Sequence, residues 1–363
     1  MRRGRPLLGG VLLVLLVLAG FLLFDLEPSH RAHPPAVEVS GRALALHRDA
    51  LVIDLHVDSL LWQRNLLERS NRGQLDFPRM REGGLDAAAF TLSTRFFGLA
   101  GLKAFHDLWP PSTWFSPWAR LRHQVEKADG FLAASAGKVR RATTASEIRQ
   151  NHRQGILSIF HGIEGAHALG RESSRVKEAA AAGVVFMGPV HLSDNEYGGS
   201  SSGSDRGLTD LGRQLILKMN EVRVLVDLAH ASEKTFAEAL ALTAMPPLVS
   251  HTGARAVHDT WRNLSDDQIR AVAERGGVIG VMLGPPALSQ PDLKEAFRHL
   301  KHMVSIAGED AVGLGSDFDG YIETPIDAAG LPQLTELMLR EGWSEERIRK
   351  ILGENVLRVL GSR

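Results

Sequence analysis

The chain has 363 residues, 44% of them apolar and 23% charged, enough for one large α/β domain with a full core. Forty-two Lys and Arg balance forty-two Asp and Glu, so no global field draws the protein to nucleic acid. There is no cysteine, which excludes disulfides, thiolate metal sites and a cysteine nucleophile, so any metal must be held by His, Asp and Glu.

Arg2, Arg3 and Arg5 precede residues 7–24, eighteen positions without a charge. A helix of that length spans about 27 Å, close to the ~30 Å hydrocarbon core of a bilayer. Its basic flank stays in the cytoplasm. Residues 1–26 are therefore expected to anchor the chain in a membrane, with the rest on the extracytoplasmic side, periplasmic or extracellular. A cleaved signal peptide is the rival reading; its apolar stretch is usually shorter, and no clear small-x-small cleavage site follows Phe24. Residues 27–39, with three prolines and two histidines, read as a linker. Residues 27–49 together are expected to hold that linker and the start of the main domain, which spans 50–363.

From residue 50 onward, short apolar runs alternate with amphipathic stretches. Strands are expected at 51–57, 85–93, 156–162, 184–190, 222–228, 247–250, 277–283 and 311–316, each rich in Val, Ile, Leu or Ala. Residues 96–118, with three prolines, three tryptophans and several phenylalanines, break the rhythm. A long loop is expected there, at the end of a barrel where active sites lie. Residues 208–220 carry helical spacing, with Thr209 and Asp210 near the start. Ser232 is placed to cap a helix at 233–242, and Ser265 to open one at 268–275. Eight strands alternating with helices favour a single closed (β/α)8 TIM-type barrel over an open sheet.

The metal donors fall at the C-terminal ends of these strands. His56 and Asp58 end the first, and side-chain alternation points both to one side. Glu164 ends the third, flanked by glycines, with His161 close by; His230 follows the fifth and His251 ends the sixth. His56, Asp58, Glu164, His230 and His251 form a nitrogen and oxygen set suited to zinc, with manganese and cobalt also admissible. Five donors exceed what one catalytic zinc uses while keeping an open position. Two ions about 3.5–4 Å apart, bridged by one carboxylate, use all five, and Glu164 is the natural bridge. His191 follows the fourth strand, Arg262 lies in the loop after the sixth, and Asp317 ends the eighth. An arginine in the mouth of such a site implies an anionic substrate group, most simply a carboxylate. Asp319 competes with Asp317, but the strand-end position favours Asp317. The remaining histidines read as surface or structural residues.

At Asp54-x-His56-x-Asp58, Ile163-Glu164-Gly165, Asp227-Leu-Ala-His230, Ser250-His251, Arg262-Asn263 and Gly315-Ser-Asp317-Phe-Asp-Gly320 the sequence resembles the membrane (renal) dipeptidase family, over about residues 50–360. The resemblance implies a (β/α)8 barrel with two zinc ions, one bound by His56, Asp58 and Glu164, the other by Glu164, His230 and His251. It implies that His191 polarises the scissile carbonyl, that Arg262 holds the substrate carboxylate, and that Asp317 contacts the free amino group or moves protons. A water activated by the cation pair would attack the peptide bond of a dipeptide with a free C-terminal carboxylate. The family is often homodimeric, and some members accept a C-terminal D-residue or open β-lactams. Leu55 and Val57 depart from the Gly and Asn of renal-type members, which bears on substrate preference. A related hydrolase of β-lactam, lactone or other amide substrates, and a tethered binding protein without catalysis, are the alternatives.

Overall fold

The computed structural model describes residues 36–95 and 100–363. Nine strands follow in chain order: β1 Ile53–Val57, β2 Ala87–Ser93, β3 Val139–Arg141, β4 Leu157–Glu164, β5 Val184–Met187, β6 Leu225–Val226, β7 Leu248–Thr252, β8 Val278–Val281 and β9 Val312–Leu314. Apart from β3 they are wholly buried, as expected of strands covered on both faces. They pair in parallel in the order β6-β5-β4-β2-β1-β9-β8-β7. The two ends of that path meet in a parallel bridge between Asp227 and Leu248, where Leu228 N donates to Leu248 O over 2.8 Å. With helices between the strands, this parallel α/β sheet is consistent with a TIM-type barrel.

Each expected strand has a counterpart, trimmed by local chemistry. The fourth was expected to run to residue 190 but ends at Met187, because Pro189 has no N–H to offer a ladder. The fifth was expected from 222, yet Val222 closes the helix Asp210–Val222 and Arg223 turns left-handed at φ 58°, so β6 begins only at Leu225. Strand β3 was not anticipated. It has only one apolar residue, Val139, and lies on the lower half of one edge of β4, pairing with Leu157–Ile159.

The helix caps match their sequence signals. Thr209 caps Asp210–Val222, Ser232 caps Glu233–Leu242, and Ser265 with Gln268 forms a capping box on Asp266–Glu274. The expected long loop at 96–118 is corrected. Its residues 96–99 lie outside the described residues; the remainder holds the helix Ala100–His106, a single turn at Pro111–Thr113 and the start of the helix Pro117–Ala134. Aromatic packing gives it internal order: the Phe105 and Trp114 rings meet edge-on at 5.0 Å, and Trp114 Nε1 donates to Trp109 O.

The expected linker also ends earlier than residue 39. Val37 is buried, with its N–H bonded to Gln333 Oε1, and both the N–H and hydroxyl of Ser40 donate to Glu336 Oε2. Ser40 then caps the helix Gly41–Asp49, which packs on Pro332–Arg340. The anchor expected at residues 7–24 lies outside the described residues; among those described, no helix is long and apolar enough to cross a membrane.

Candidate metal centre

Strand β1 delivers His56 and, one residue past its end, Asp58. Asp54 Oδ1 steadies that turn by accepting the N–H groups of His56 and of Ser316, each at 3.0 Å, so one buried carboxylate ties the end of β1 to the segment after β9. Asp227 repeats the device on the far side, accepting from Ala229 N at 3.0 Å and Ser250 N at 2.9 Å. It joins the turn carrying His230 to the strand carrying His251. His230 and Asp317 both take left-handed backbone conformations, φ 62° each. A non-glycine residue held there costs roughly 1–3 kcal/mol, a cost characteristic of functional sites.

All eight residues expected from the sequence meet in one buried cluster. Glu164 Oε1 lies 3.1 Å from His230 Nε2, 3.5 Å from His251 Nε2 and 3.6 Å from His56 Nε2; its other oxygen is 3.2 Å from His191 Nε2. His56 Nε2 is 3.8 Å from Asp58 Oδ2 and 3.7 Å from Asp317 Oδ1. The Nε2 atoms of His230 and His251 approach to 3.1 Å. His191 and Asp317, assigned to the substrate by sequence, thus stand within ligand reach of the same centre: Glu164, His191 and His230 form one set whose donor atoms lie within 4.8 Å, and His56, His251 and Asp317 another.

Charge distribution tests whether this set fits a cation. Burial pushes the Glu164 carboxyl up, but His191, His56 and His230 together outweigh it and hold Glu164 well below the usual range, ionised. Burial drives His230 and His251 well down, helped by the nearby Arg262, so both present neutral imidazole, the form that binds metal. His56 goes the other way. Burial lowers it, but Glu164, Asp58 and Asp317 raise it to about 10. Burial and mutual repulsion push the carboxyls of Asp58 and Asp317 up at the same place, so negative charge is crowded around His56 and a cation seated there would relieve it. The donor set fits divalent metal ions, with zinc, manganese and cobalt all admissible to its nitrogen and oxygen atoms.

Asp58, Glu164, His191, His251, Arg262 and Asp317 share one cavity of about 190 Å³. That lies below the roughly 300–1,000 Å³ of drug-sized sites, so it suits a small substrate. A neighbouring cavity of about 340 Å³ shares His230, Trp261 and Arg262 with it but touches none of the other donors. Arg262 is buried, its Nη2 donating to His251 O at 2.5 Å, and among the described residues it forms no ion pair. Asp319 is engaged elsewhere: it accepts from Ser59, Arg64 and Gln74 N. His161 also turns away, its Nδ1 on Phe90 O, and burial lowers it to about 4. Thr91 carries a role that sequence reading missed. Its hydroxyl reaches Asp58 Oδ1 at 2.5 Å and Val57 O at 2.9 Å.

A buried nitrogen and oxygen donor set at the strand ends of a parallel α/β sheet is the arrangement of a metal-dependent enzyme. The family model for membrane dipeptidase (peptidase family M19) matches residues 40–362, and the chain belongs to that family of metallopeptidases. It is 28% identical over 391 aligned positions to the dipeptidase aclJ of Aspergillus oryzae, covering 99% of this chain and 89% of that protein. It is 35% identical over 257 residues to a Klebsiella pneumoniae protein described only by its place in the pqqA 5′ region, covering 66% of this chain and 94% of that one. Among solved structures it resembles a Rhodobacter sphaeroides metallopeptidase liganded with a phosphinate mimic of L-Ala-D-Ala. The TM-score is 0.75 at 28% identity, covering 86% of this chain and 99% of the other. The protein is a dipeptidase of this metallopeptidase family.

Proposed function

We propose that this dipeptidase uses two zinc ions bridged by Glu164 and cleaves dipeptides bearing a free C-terminal carboxylate. The observation carrying this is Glu164 Oε1, ringed by Nε2 of His56, His230 and His251 within 3.6 Å, in the same cavity as Arg262, which forms no ion pair among the described residues. His56 and Asp58 would hold one ion with Glu164, and His230 and His251 the other. When bound, the zinc pair supplies an activated water near neutral pH and positive charge toward the scissile carbonyl.

The chain's own residues do the rest. Arg262 receives the substrate carboxylate, which fixes the distance from that carboxylate to the bond being cut. His191 Nε2 faces the cavity beside Glu164 and donates to the oxyanion. Asp317 Oδ1 would accept from the substrate amino group, and the same carboxylate would take up the proton released by the attacking water and deliver it to the departing amine. Tethering through residues 7–24, with the domain outside the cytoplasm, and pairing as a homodimer belong to the same proposal; membrane fractionation and solution mass test them.

The deciding experiment is metal analysis combined with a panel of L- and D-dipeptides and their C-terminal amides. Two zinc ions per chain and cleavage of the acids over the amides are expected. Equal turnover of acids and amides would remove Arg262 as the clamp, and turnover by metal-free protein would end the reading.

A further inference from the structure

A second guanidinium enters the substrate cavity. Arg95 lies two residues beyond the end of β2 and lines the cavity together with Ser93, Glu164, His191 and Asp317. The backbone leading to it is held from outside by the helix Pro117–Ala134: Gln124 Nε2 donates to Ser93 O at 2.8 Å and Arg120 Nε to Thr94 O at 2.9 Å. Its own Nη1 donates to the hydroxyl of Ser193, a neutral partner. Among the described residues no carboxylate forms an ion pair with Arg95. Arg120 and the buried His167 lie close enough to feel its charge, and the carboxylates that share its cavity, Asp58, Glu164 and Asp317, belong to the candidate metal centre. A half-buried arginine in a cavity wall, with a neutral anchor and no ion pair among the described residues, is a site for an anion that arrives with the substrate.

Its place in the ring says which part of the substrate that is. Along the closed strand order, β2 and β7 are four strands apart in either direction. Arg95 follows β2 and Arg262 lies in the loop after β7, so the two cations reach the cavity that holds Glu164 from opposite sides of the ring. Resting on the dipeptidase reading, with the C-terminal carboxylate on Arg262 and the scissile bond over the centre, the side chain of the N-terminal residue points to the Arg95 side. We infer that Arg95 is a specificity-determining residue that selects dipeptides with an acidic N-terminal residue, glutamyl or aspartyl, by pairing with its side-chain carboxylate.

The test compares kcat/KM for Glu-Ala and its neutral isostere Gln-Ala on zinc-loaded enzyme, so that each ratio is internal to one protein. The parent should favour Glu-Ala by about tenfold or more, Arg95→Gln should bring the ratio near one, and Arg95→Lys should retain part of it. Parity of Glu-Ala and Gln-Ala in the parent, with Ala-Ala cleaved, would overturn this inference and leave the dipeptidase reading standing. A preference that survives in Arg95→Gln would overturn it as well. If no dipeptide is cleaved by metal-replete protein, the dipeptidase reading fails. Calorimetric titration of the same holoenzyme with Glu-Ala and Gln-Ala then decides on Arg95: tighter glutamyl binding lost in Arg95→Gln upholds it, and equal binding rejects it.

Discussion

Thr91 shows how much of a metal centre is set by residues that never touch the metal. Its hydroxyl reaches the Asp58 carboxylate and the carbonyl of Val57, so it fixes the direction in which Asp58 offers its other oxygen. Thr91→Val keeps the shape and removes that bond. Zinc affinity should fall about 10–100-fold with the fold intact, read by competition with a chelator and by circular dichroism. Arg262→Ala should raise KM, with a loss in kcat/KM worth roughly 2–5 kcal/mol, since a substrate carboxylate would be left without its partner. The clustering of the five candidate donors was legible in the sequence because each stands at or just past the end of an apolar run and each is a residue type that zinc accepts. Thr91 was not, because a threonine inside a buried strand carries no mark that separates packing from orientation. Asp54 and Asp227 stood in the motifs, but only three dimensions reveal that each carboxylate binds backbone N–H groups of two segments at once.

At the scale of elements, the entry of the chain into the domain hangs on the helix Gly41–Asp49. His47 locks it in place, its Nδ1 2.7 Å from Thr335 Oγ1 and its Nε2 2.8 Å from Gly83 O. Burial lowers His47 to about 4. The unfolded chain takes up this proton near pH 6.5 and the folded one only near 4, so the contribution is full above pH 6.5 and is lost as the pH falls toward 4. His47→Asn should lower the Tm at pH 7, yet its Tm should change less than the parent's between pH 6.5 and 4, as followed by calorimetry. Helix starts were the most legible features, because Ser232, Ser265 and Thr209 cap by a local rule that tertiary packing left alone. Residues 96–118 were misread for the converse reason. Prolines at 110, 111 and 117 read as loop punctuation, whereas Pro111 and Pro117 sit in the first turns of helical segments, where a missing N–H costs nothing.

For the whole molecule, the alternation of strand and helix was enough to infer a parallel sheet, because each strand hides both faces and must be apolar throughout. The same uniformity conceals where strands stop, and it hid β3, whose arginines project from a short edge pairing that needs no apolar run. Removing metal should abolish turnover and lower the Tm while leaving far-UV circular dichroism close to native. Adding zinc should raise the Tm progressively, since a ligand at 1,000 times its Kd contributes about 4 kcal/mol to the folded state.

The place where the ring joins has a consequence of its own. Between β6 and β7 the ladder thins to the Asp227 and Leu248 bridge and the clip of the Asp227 carboxylate on Ser250. Immediately above that seam His230 and His251 lean together, one from each lip. An ion seated on both would act as a clasp across the weakest joint of the wall. Amide exchange at Leu228, whose proton points to Leu248 across the gap, should then report whether the clasp is fastened, slowing with zinc while the amides between β2 and β4 hold their pace.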